Sequence, residues 1–182
     1  GAGRLADSVA LGEHALSVGV DALLLPPPHF YRYEQQDLDA FFREAARRID
    51  GPVMIYNLAS FTTPIEPETI VRLMEQVPNI VGVKEASADF DQIGEIARTA
   101  AEGFHIYSGN DGDTFLILAL GGVGVISVQS HVVSTETRRM IDAFVDGDYE
   151  AARQQHLRLL PIARALFPAG WANPIAVKAA LN

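Results

Sequence analysis

Lys84 ends an apolar segment, where a lysine is chemically unusual. Residues 80–85 read Ile-Val-Gly-Val-Lys-Glu, and the chain contains only two lysines among its 14 lysine and arginine residues. Arginine therefore supplies most of the cations, and this lysine calls for another explanation. A lysine at the carboxyl end of a buried parallel strand can lose its water, and a neutral amine can attack a carbonyl carbon. The alternative interpretation is a strand-end lysine that reaches solvent or pairs with Glu85.

Polar residues follow other apolar runs in the same way. They are Tyr56-Asn57, Ser108-Gly109-Asn110-Asp111, and Ser127 with Gln129. The carboxyl ends of parallel strands meet at one edge of a sheet, and enzymes with parallel sheets build their active sites there. A tyrosine at the end of the strand before Lys84 can point toward the same edge of the sheet as the lysine. Rim packing by the tyrosine and capping of the next helix by the polar residues are the alternatives.

Short apolar runs alternate with helical patterns, which predicts an α/β protein with a parallel sheet. The predicted strands are 22–26, 53–57, 80–85, 105–108 and 124–128. The predicted helices are 6–18, 36–49, 67–76, 90–101 and 113–120 between the strands, and then 135–146, 149–166 and 174–181. Such a chain could form a doubly wound sheet or part of a (β/α)8 barrel. No G-x-G-x-x-G turn follows a strand, while polar residues cluster at the strand ends, which favours the partial barrel.

Composition argues against several classes of function. The net charge is −9, and the acidic residues are scattered, so neither nucleic acid nor a membrane surface is expected as a partner. The sequence has no cysteine, which excludes disulfides and thiolate metal sites. The five histidines show no metal-ligand spacing, so no metal site is expected. No cofactor is expected either. No apolar run has the length of a membrane span, and the expected compartment is the cytoplasm.

Taken together, the motifs resemble the dihydrodipicolinate synthase / N-acetylneuraminate lyase family. These are class I aldolases that use a lysine Schiff base with pyruvate in a (β/α)8 barrel. The matching segments, in the order of the family, are 55–57 (Ile-Tyr-Asn), 82–87 (Gly-Val-Lys-Glu-Ala-Ser), 107–111 (Tyr-Ser-Gly-Asn-Asp), 122–127 (Gly-Val-Gly-Val-Ile-Ser) and 173–178 (Asn-Pro-Ile-Ala-Val-Lys). The resemblance covers essentially the whole chain.

The resemblance implies a role for each matched residue. Lys84 forms the Schiff base, and Tyr56 transfers protons during its formation and during aldol cleavage. Ile126 presents its backbone carbonyl to the substrate, Gly109 allows a close backbone approach near the lysine, and Ser127 is a candidate for substrate contact. The implied substrates are pyruvate or another 2-oxo acid together with an aldehyde. The implied assembly is a homotetramer built as a dimer of dimers.

Phe61 departs from the pattern of one branch of the family. Synthases of the lysine pathway carry an arginine five residues after the catalytic tyrosine, and that arginine binds the carboxylate of the aldehyde substrate. Phenylalanine cannot make this bidentate contact. Lyases for sialic acid and for 2-keto-3-deoxy sugar acids commonly carry a non-basic residue there. A lyase for a 2-keto-3-deoxy sugar acid is therefore the first hypothesis. The lysine-pathway 4-hydroxy-tetrahydrodipicolinate synthase is the second, and an inactive ligand-binding homologue is the third.

A second departure concerns the tyrosine that family members supply across a subunit interface. Its position aligns with Phe30, and Tyr31 could replace it only through a shifted register. The match also begins after the third strand of the family. We therefore expect strands four to eight in a barrel segment at 1–133, followed by a helical segment at 134–182. The missing part includes a Gly-Thr-Thr-Gly-Glu loop that binds the substrate carboxylate. An isolated piece with two exposed sheet edges is expected to be inactive and poorly stable.

Overall fold

Strands and helices alternate through most of the chain in the computed structural model, which describes residues 3–171 and 173–182. The strands are β1 (Leu23–Leu25), β2 (Val53–Asn57), β3 (Ile80–Glu85), β4 (His105–Ser108) and β5 (Gly124–Val125), and they form one sheet in that order. The helices are α1 (Leu5–Ser17), α2 (Gln35–Arg48), α3 (Pro67–Gln76), α4 (Phe90–Thr99), α5 (Thr114–Ala119), α6 (Ser130–Val145), α7 (Tyr149–Ala165) and α8 (Ile175–Ala180). A short 3-10 turn, Asp111–Asp113, precedes α5. The predicted α/β fold is confirmed.

Local sequence explains where several helices begin. Asp89 precedes α4 and accepts a hydrogen bond from the Gln92 backbone N–H at 3.0 Å. Asp148 does the same for α7 through Ala151 at 3.0 Å. Pro67 occupies the first turn of α3. Backbone N–H groups in a first turn have no acceptor within the helix, so the missing N–H of proline costs no hydrogen bond there. These residues satisfy backbone donors that a helix start leaves free.

The last strand is shorter than the apolar run predicted. The prediction of a strand at 124–128 is wrong at its end, because β5 stops at Val125. The backbone N–H groups of Val128 and Gln129 donate to the Asp111 carboxylate, at 3.0 and 2.8 Å, rather than to a neighbouring strand. The helix predicted from 135 already starts at Ser130, with a non-helical residue at Val133.

The described residues fall into two compact units, which divide between Tyr107 and Ser108. The core of the first unit contains fully buried Leu38, Phe42, Ile55, Ile70 and Val83. The core of the second unit contains Ile117, Met140, Ala152 and Leu159, none more than 5% exposed. The domain boundary predicted between 133 and 134 stays a prediction. In the described part of the chain, no helix combines the length and the apolar character needed to span a bilayer.

An irregularity in the pairing of β2 with β3 sets which side chains share a face. The two strands are parallel, and Val53 pairs with Ile80, but Met54 pairs with Gly82, so the register skips one residue of β3. After the skip, Tyr56 pairs with Lys84. Side chains alternate along a strand, so a shift by one residue exchanges the two faces. The skip therefore decides that Lys84 shares a face with Tyr56.

Gly82 lies at a close approach of β3 to β4. A Cβ atom at this position would lie 2.5 Å from the backbone oxygen of His105, well inside normal contact. Only glycine fits between these strands. Sequence reasoning had assigned such an approach to Gly109, and the steric requirement at Gly82 went unrecognised.

Candidate active site

Lys84 and Tyr56 lie together at the carboxyl ends of two neighbouring strands. They are register partners on β3 and β2, and the Lys84 Nζ lies 4.1 Å from the centre of the Tyr56 ring. Side chains of paired residues in adjacent strands project to the same face of the sheet. The amine lies over the face of the ring. The structure thus brings together the two residues that were predicted to do the chemistry.

Lys84 is largely buried and does not pair with its neighbour Glu85. Its exposed fraction is 8%, and no carboxylate among the described residues forms a salt bridge with it. Glu85 follows it in the strand and therefore points to the opposite face. The interpretation of Lys84 as half of an ion pair with Glu85 is wrong.

Glu85 and Asn57 form a buried polar network behind the lysine–tyrosine pair. Both are 0% exposed, and they are the register pair that follows Tyr56 and Lys84. The Glu85 carboxylate accepts hydrogen bonds from Asn57 Nδ2 at 3.1 Å, from the Ser87 backbone N–H at 2.8 Å and from Gln92 Nε2 at 3.2 Å. Sequence reasoning missed this network. Its signal was a pair of polar residues directly after the two candidate catalytic residues.

Asn57 also fixes the loop that follows β2. Its Nδ2 donates to the Ile65 carbonyl at 3.2 Å, and its Oδ1 accepts from the Ile65 N–H at 3.0 Å. Both ends of the intervening segment, 58–64, are held by one side chain. This segment carries Phe61.

Phe61 lies in a groove between the loops that follow β1 and β2. The cavity has a volume of about 470 Å³ and is lined by residues 30–32 and 59–64. Phe61 is 76% exposed, and the neighbouring Phe30 and Tyr31 are 88% and 66% exposed. Phe30 has φ +90°, a strained value for a residue with a side chain. The Tyr33 N–H donates to Thr63 Oγ1 at 3.0 Å and ties the two loops together.

The other predicted site residues lie in the second unit. The Ile126 N–H donates to the Ser108 carbonyl at 2.9 Å. The Ser127 hydroxyl oxygen accepts a hydrogen bond from the Ser130 N–H at 2.9 Å, so it caps the first turn of α6. Gly109 lies between Ser108 and the 3-10 turn. The substrate contacts assigned to Ile126, Ser127 and Gly109 stay predictions.

Asp111 anchors the end of β5 in the second unit. Its Oδ2 accepts the two backbone hydrogen bonds from Val128 and Gln129 described above. Its Oδ1 and the Gln129 Oε1 are buried acceptors without a partner among the described residues. No group of three or more histidine, aspartate or glutamate side chains in the described ranges is arranged to hold a metal ion.

The ionisable groups with displaced pKa values lie elsewhere on the molecule. Hydrogen bonds from Arg47 and Arg48 lower the pKa of Glu44 to about 2 at the surface of α2. Burial lowers the pKa of His156 below its ordinary value, against a smaller opposing effect of Asp113.

Comparison with known proteins finds relatives of this chain by sequence and by structure. A 4-hydroxy-tetrahydrodipicolinate synthase of Thermoanaerobacter sp. (strain X514) is 44% identical over 183 residues, which covers 100% of this chain and 61% of the relative. The crystal structure of dihydrodipicolinate synthase from Aquifex aeolicus matches with TM-score 0.92 and 35% identity, over 98% of this chain and 60% of that one. A structure described as the first monomeric dihydrodipicolinate synthase variant matches with TM-score 0.94 and 33% identity, over 99% of this chain and 61% of that one.

The parallel strands and the lysine at a strand end define a class, the (β/α)8-barrel proteins that carry a lysine at the carboxyl edge of the barrel. A profile of the dihydrodipicolinate synthetase family matches residues 1–182, and the chain belongs to that family. It spans about 60% of the length of the relatives it matches. The prediction of a partial (β/α)8 barrel is confirmed.

Proposed function

We propose that the protein is a class I aldolase that forms a Schiff base between Lys84 and a 2-oxo acid such as pyruvate. The observation that carries this proposal is the buried Lys84 Nζ, 4.1 Å from the centre of the Tyr56 ring at the ends of adjacent parallel strands. Family membership supports it independently. A lysine without a carboxylate partner is available for attack on a carbonyl.

The arrangement supports a reaction in two stages. In the first, the Lys84 amine adds to the ketone carbon of the 2-oxo acid, and loss of one water leaves an iminium ion. In the second, the hydroxyl on the fourth carbon of the acid loses its proton and the bond between the third and fourth carbons breaks. The electron pair of that bond passes to the iminium to give an enamine, and the fourth carbon leaves as an aldehyde. The remaining enamine takes up a proton, and water then releases pyruvate and restores the lysine. We assign to the Tyr56 hydroxyl the uptake and return of the protons of these steps.

The aldehyde half of the substrate is proposed from Phe61. Its ring stands in the groove between the loops after β1 and β2, at the position where the resemblance implies an arginine in lysine-pathway synthases. A phenyl ring cannot bind a carboxylate through paired hydrogen bonds. We therefore place first a lyase that acts on a 2-keto-3-deoxy sugar acid, which it would split into pyruvate and a hydroxyaldehyde.

A second candidate is 4-hydroxy-tetrahydrodipicolinate synthase. The names of relatives that are 42% to 44% identical over 92% to 100% of this chain favour it. A panel of aldehydes with pyruvate and of keto-deoxy acids separates the two candidates, because a synthase consumes pyruvate and a lyase releases it. Turnover of aspartate semialdehyde without turnover of keto-deoxy acids would reverse the order.

Borohydride trapping tests the shared chemistry. The full-length protein is incubated with pyruvate and sodium borohydride, and peptide mass spectrometry then locates the reduced adduct. We expect the adduct on Lys84 and its loss in Lys84→Arg, which keeps the charge but not the nucleophile. The matched control is Lys178→Arg, since Lys178 is the other lysine of the sequence and lies exposed on α8. A folded wild-type protein without an adduct would favour an inactive ligand-binding homologue.

We also propose that the full-length protein self-associates. The exposed rings of Phe30, Tyr31 and Phe61 form an aromatic surface of the kind that a second copy of a chain covers. One solved relative is described as a monomeric variant, so the assembly needs measurement. Sedimentation equilibrium of the full-length protein should give a dimer or tetramer. The cytoplasmic location and the absence of a cofactor belong to the same proposal.

A further inference from the structure

Glu85 is a buried carboxylate for which stability alone gives no reason. It is 0% exposed, and no arginine or lysine among the described residues pairs with it. Burial of a charged group is unfavourable unless hydrogen bonds replace its water, and an apolar side chain of similar size is often at least as stable. The structure supplies three hydrogen bonds to keep this carboxylate in place, from Asn57, Ser87 and Gln92.

The three donors to Glu85 come from three different segments of the chain. Asn57 ends β2 directly after Tyr56, and Ser87 follows β3. Gln92 lies in the first turn of α4, where its backbone N–H is held by Asp89 and its side chain by Glu85. One carboxylate therefore ties together two strand ends, the loop after β3 and the start of a helix.

The orientation of the Asn57 amide is fixed from the other side. Its oxygen accepts from the Ile65 N–H, and its nitrogen donates to the Ile65 carbonyl. The amide cannot rotate by half a turn without the loss of both bonds. Its Nδ2 must therefore face Glu85, and the network reaches segment 58–64 with Phe61.

From this arrangement we propose that Asn57, Glu85 and Gln92 are positioning residues for the reaction proposed above. The proposal rests on that function. Asn57 and Glu85 are the register pair that follows Tyr56 and Lys84, and their side chains lie on the opposite face of the sheet. The hydrogen bond between Asn57 and Glu85 holds the two strand ends together. Through the backbone it sets the distance between Tyr56 and Lys84. The bonds from Asn57 to Ile65 set the position of Phe61 relative to that pair. None of the three side chains touches the substrate.

The first test is Glu85→Gln. A glutamine has one acceptor oxygen in place of two, so either the Ser87 N–H or the side-chain donors of Asn57 and Gln92 must face its amide nitrogen. We expect the rate of Schiff-base formation with pyruvate to fall about 100-fold, because even a small displacement of reactive groups lowers a rate by that much. The KM for the aldehyde should change little, because the bonds from Asn57 to Ile65 still hold segment 58–64.

A double variant separates the two ties. In Asn57→Asp with Glu85→Gln, the new glutamine donates to the new carboxylate, so the tie between β2 and β3 returns with reversed polarity. The donor to the Ile65 carbonyl is lost, because aspartate has no side-chain N–H. We expect Schiff-base formation to recover to within about 10-fold of wild type, whereas the KM for the aldehyde rises. A purely structural role would move both quantities together.

The matched control is Asn79→Asp at the other end of the same strands. The Asn79 Nδ2 donates to the carbonyls of Ala46, Ile49 and Gly51, at 2.9, 3.2 and 3.1 Å. A carboxylate there opposes three carbonyl oxygens and should lower the melting temperature. Because the site is remote, Schiff-base formation should stay within about twofold of wild type. Gln92→Ala, which removes one donor near the start of α4, provides a milder variant if Glu85→Gln does not fold.

The outcomes are separable. Wild-type trapping with unchanged rates in Glu85→Gln or Gln92→Ala would overturn the positioning role alone. Equal losses of rate in Asn79→Asp and Glu85→Gln at equal stability would overturn it as well. A wild-type protein that forms no adduct would overturn the proposed function, and the positioning role with it.

Discussion

The side-chain nitrogen of Lys84 lies 4.1 Å from the centre of the Tyr56 ring, on the strand next to it. The two residues pair in register only because the ladder between β2 and β3 skips one residue of β3 near its start. Without the skip, Tyr56 would pair with Val83, and Lys84 would pair with Asn57 on the other face of the sheet. The irregularity at the amino end of the strands therefore creates the reactive pair at their carboxyl end.

Tyr56→Phe separates the ring from the hydroxyl. The ring stays next to Lys84, so the lysine should keep its position and its adduct with pyruvate. Loss of the proton-transfer group should lower kcat by about 10²- to 10⁴-fold. Steady-state kinetics and the rate of trapping check this. Tyr149→Phe on α7, where the ring is 60% exposed, is the control and should leave kcat unchanged. Equal activity of Tyr56→Phe and wild type would remove Tyr56 from the chemistry.

Phe61→Arg tests the choice of aldehyde. A guanidinium in the groove between the two loops can bind a carboxylate through two hydrogen bonds. The ratio of kcat/KM for an aldehyde with a carboxylate to that for a neutral hydroxyaldehyde should rise by about 10- to 100-fold. Phe61→Leu is the neutral control and should leave the ratio near that of wild type. A wild-type enzyme that already prefers the charged aldehyde would contradict the role assigned to Phe61.

His156 should make stability depend on pH in a mildly acidic range. The ring is 8% exposed and stacks on Phe115, with ring centres 5.6 Å apart. Burial lowers its pKa below the ordinary 6.5, and nearby Asp113 opposes the shift only in part. The unfolded chain therefore binds this proton first as the pH falls. The free energy of unfolding should decrease from about pH 6.5 downward, by at most about 1.4 kcal/mol per pH unit.

Denaturant unfolding at several pH values measures this dependence. His156→Phe keeps a ring against Phe115 and should lose this part of the slope. Carboxylates such as Glu44, whose pKa is lowered to about 2, lose their contribution only at more acidic pH and should behave alike in both proteins. Identical slopes between pH 6.5 and 5 would contradict the assignment to His156.

Gly82→Ala tests the close approach of β3 to β4. The new methyl group would lie 2.5 Å from the His105 oxygen, which is backbone and cannot move alone. The free energy of unfolding should fall by about 1–3 kcal/mol, as measured by denaturant titration. Gly94→Ala in α4 is the matched control, because nothing lies within 4 Å of its new methyl group. That variant should gain about 0.5–1 kcal/mol from helix propensity.

The regular elements were predictable wherever local pattern and tertiary pairing agree. The strands β2, β3 and β4 match their apolar runs residue for residue, and α3 matches its helical pattern. β5 does not, because the Asp111 carboxylate accepts the N–H groups that the apolar run would have offered to a neighbour. That competition involves residues 17 and 18 positions apart and leaves no local pattern.

The sequence by itself determined the candidate chemistry: a rare lysine at the end of an apolar strand, a tyrosine at the end of the strand before it, and the order of motifs that led to the family. Only the tertiary structure decided which neighbour Lys84 faces. Strand register depends on one skipped residue, and the partners of Glu85 come from β2 and α4 rather than from its own strand. Residue types fix what a side chain can do, whereas register and burial fix which groups it meets.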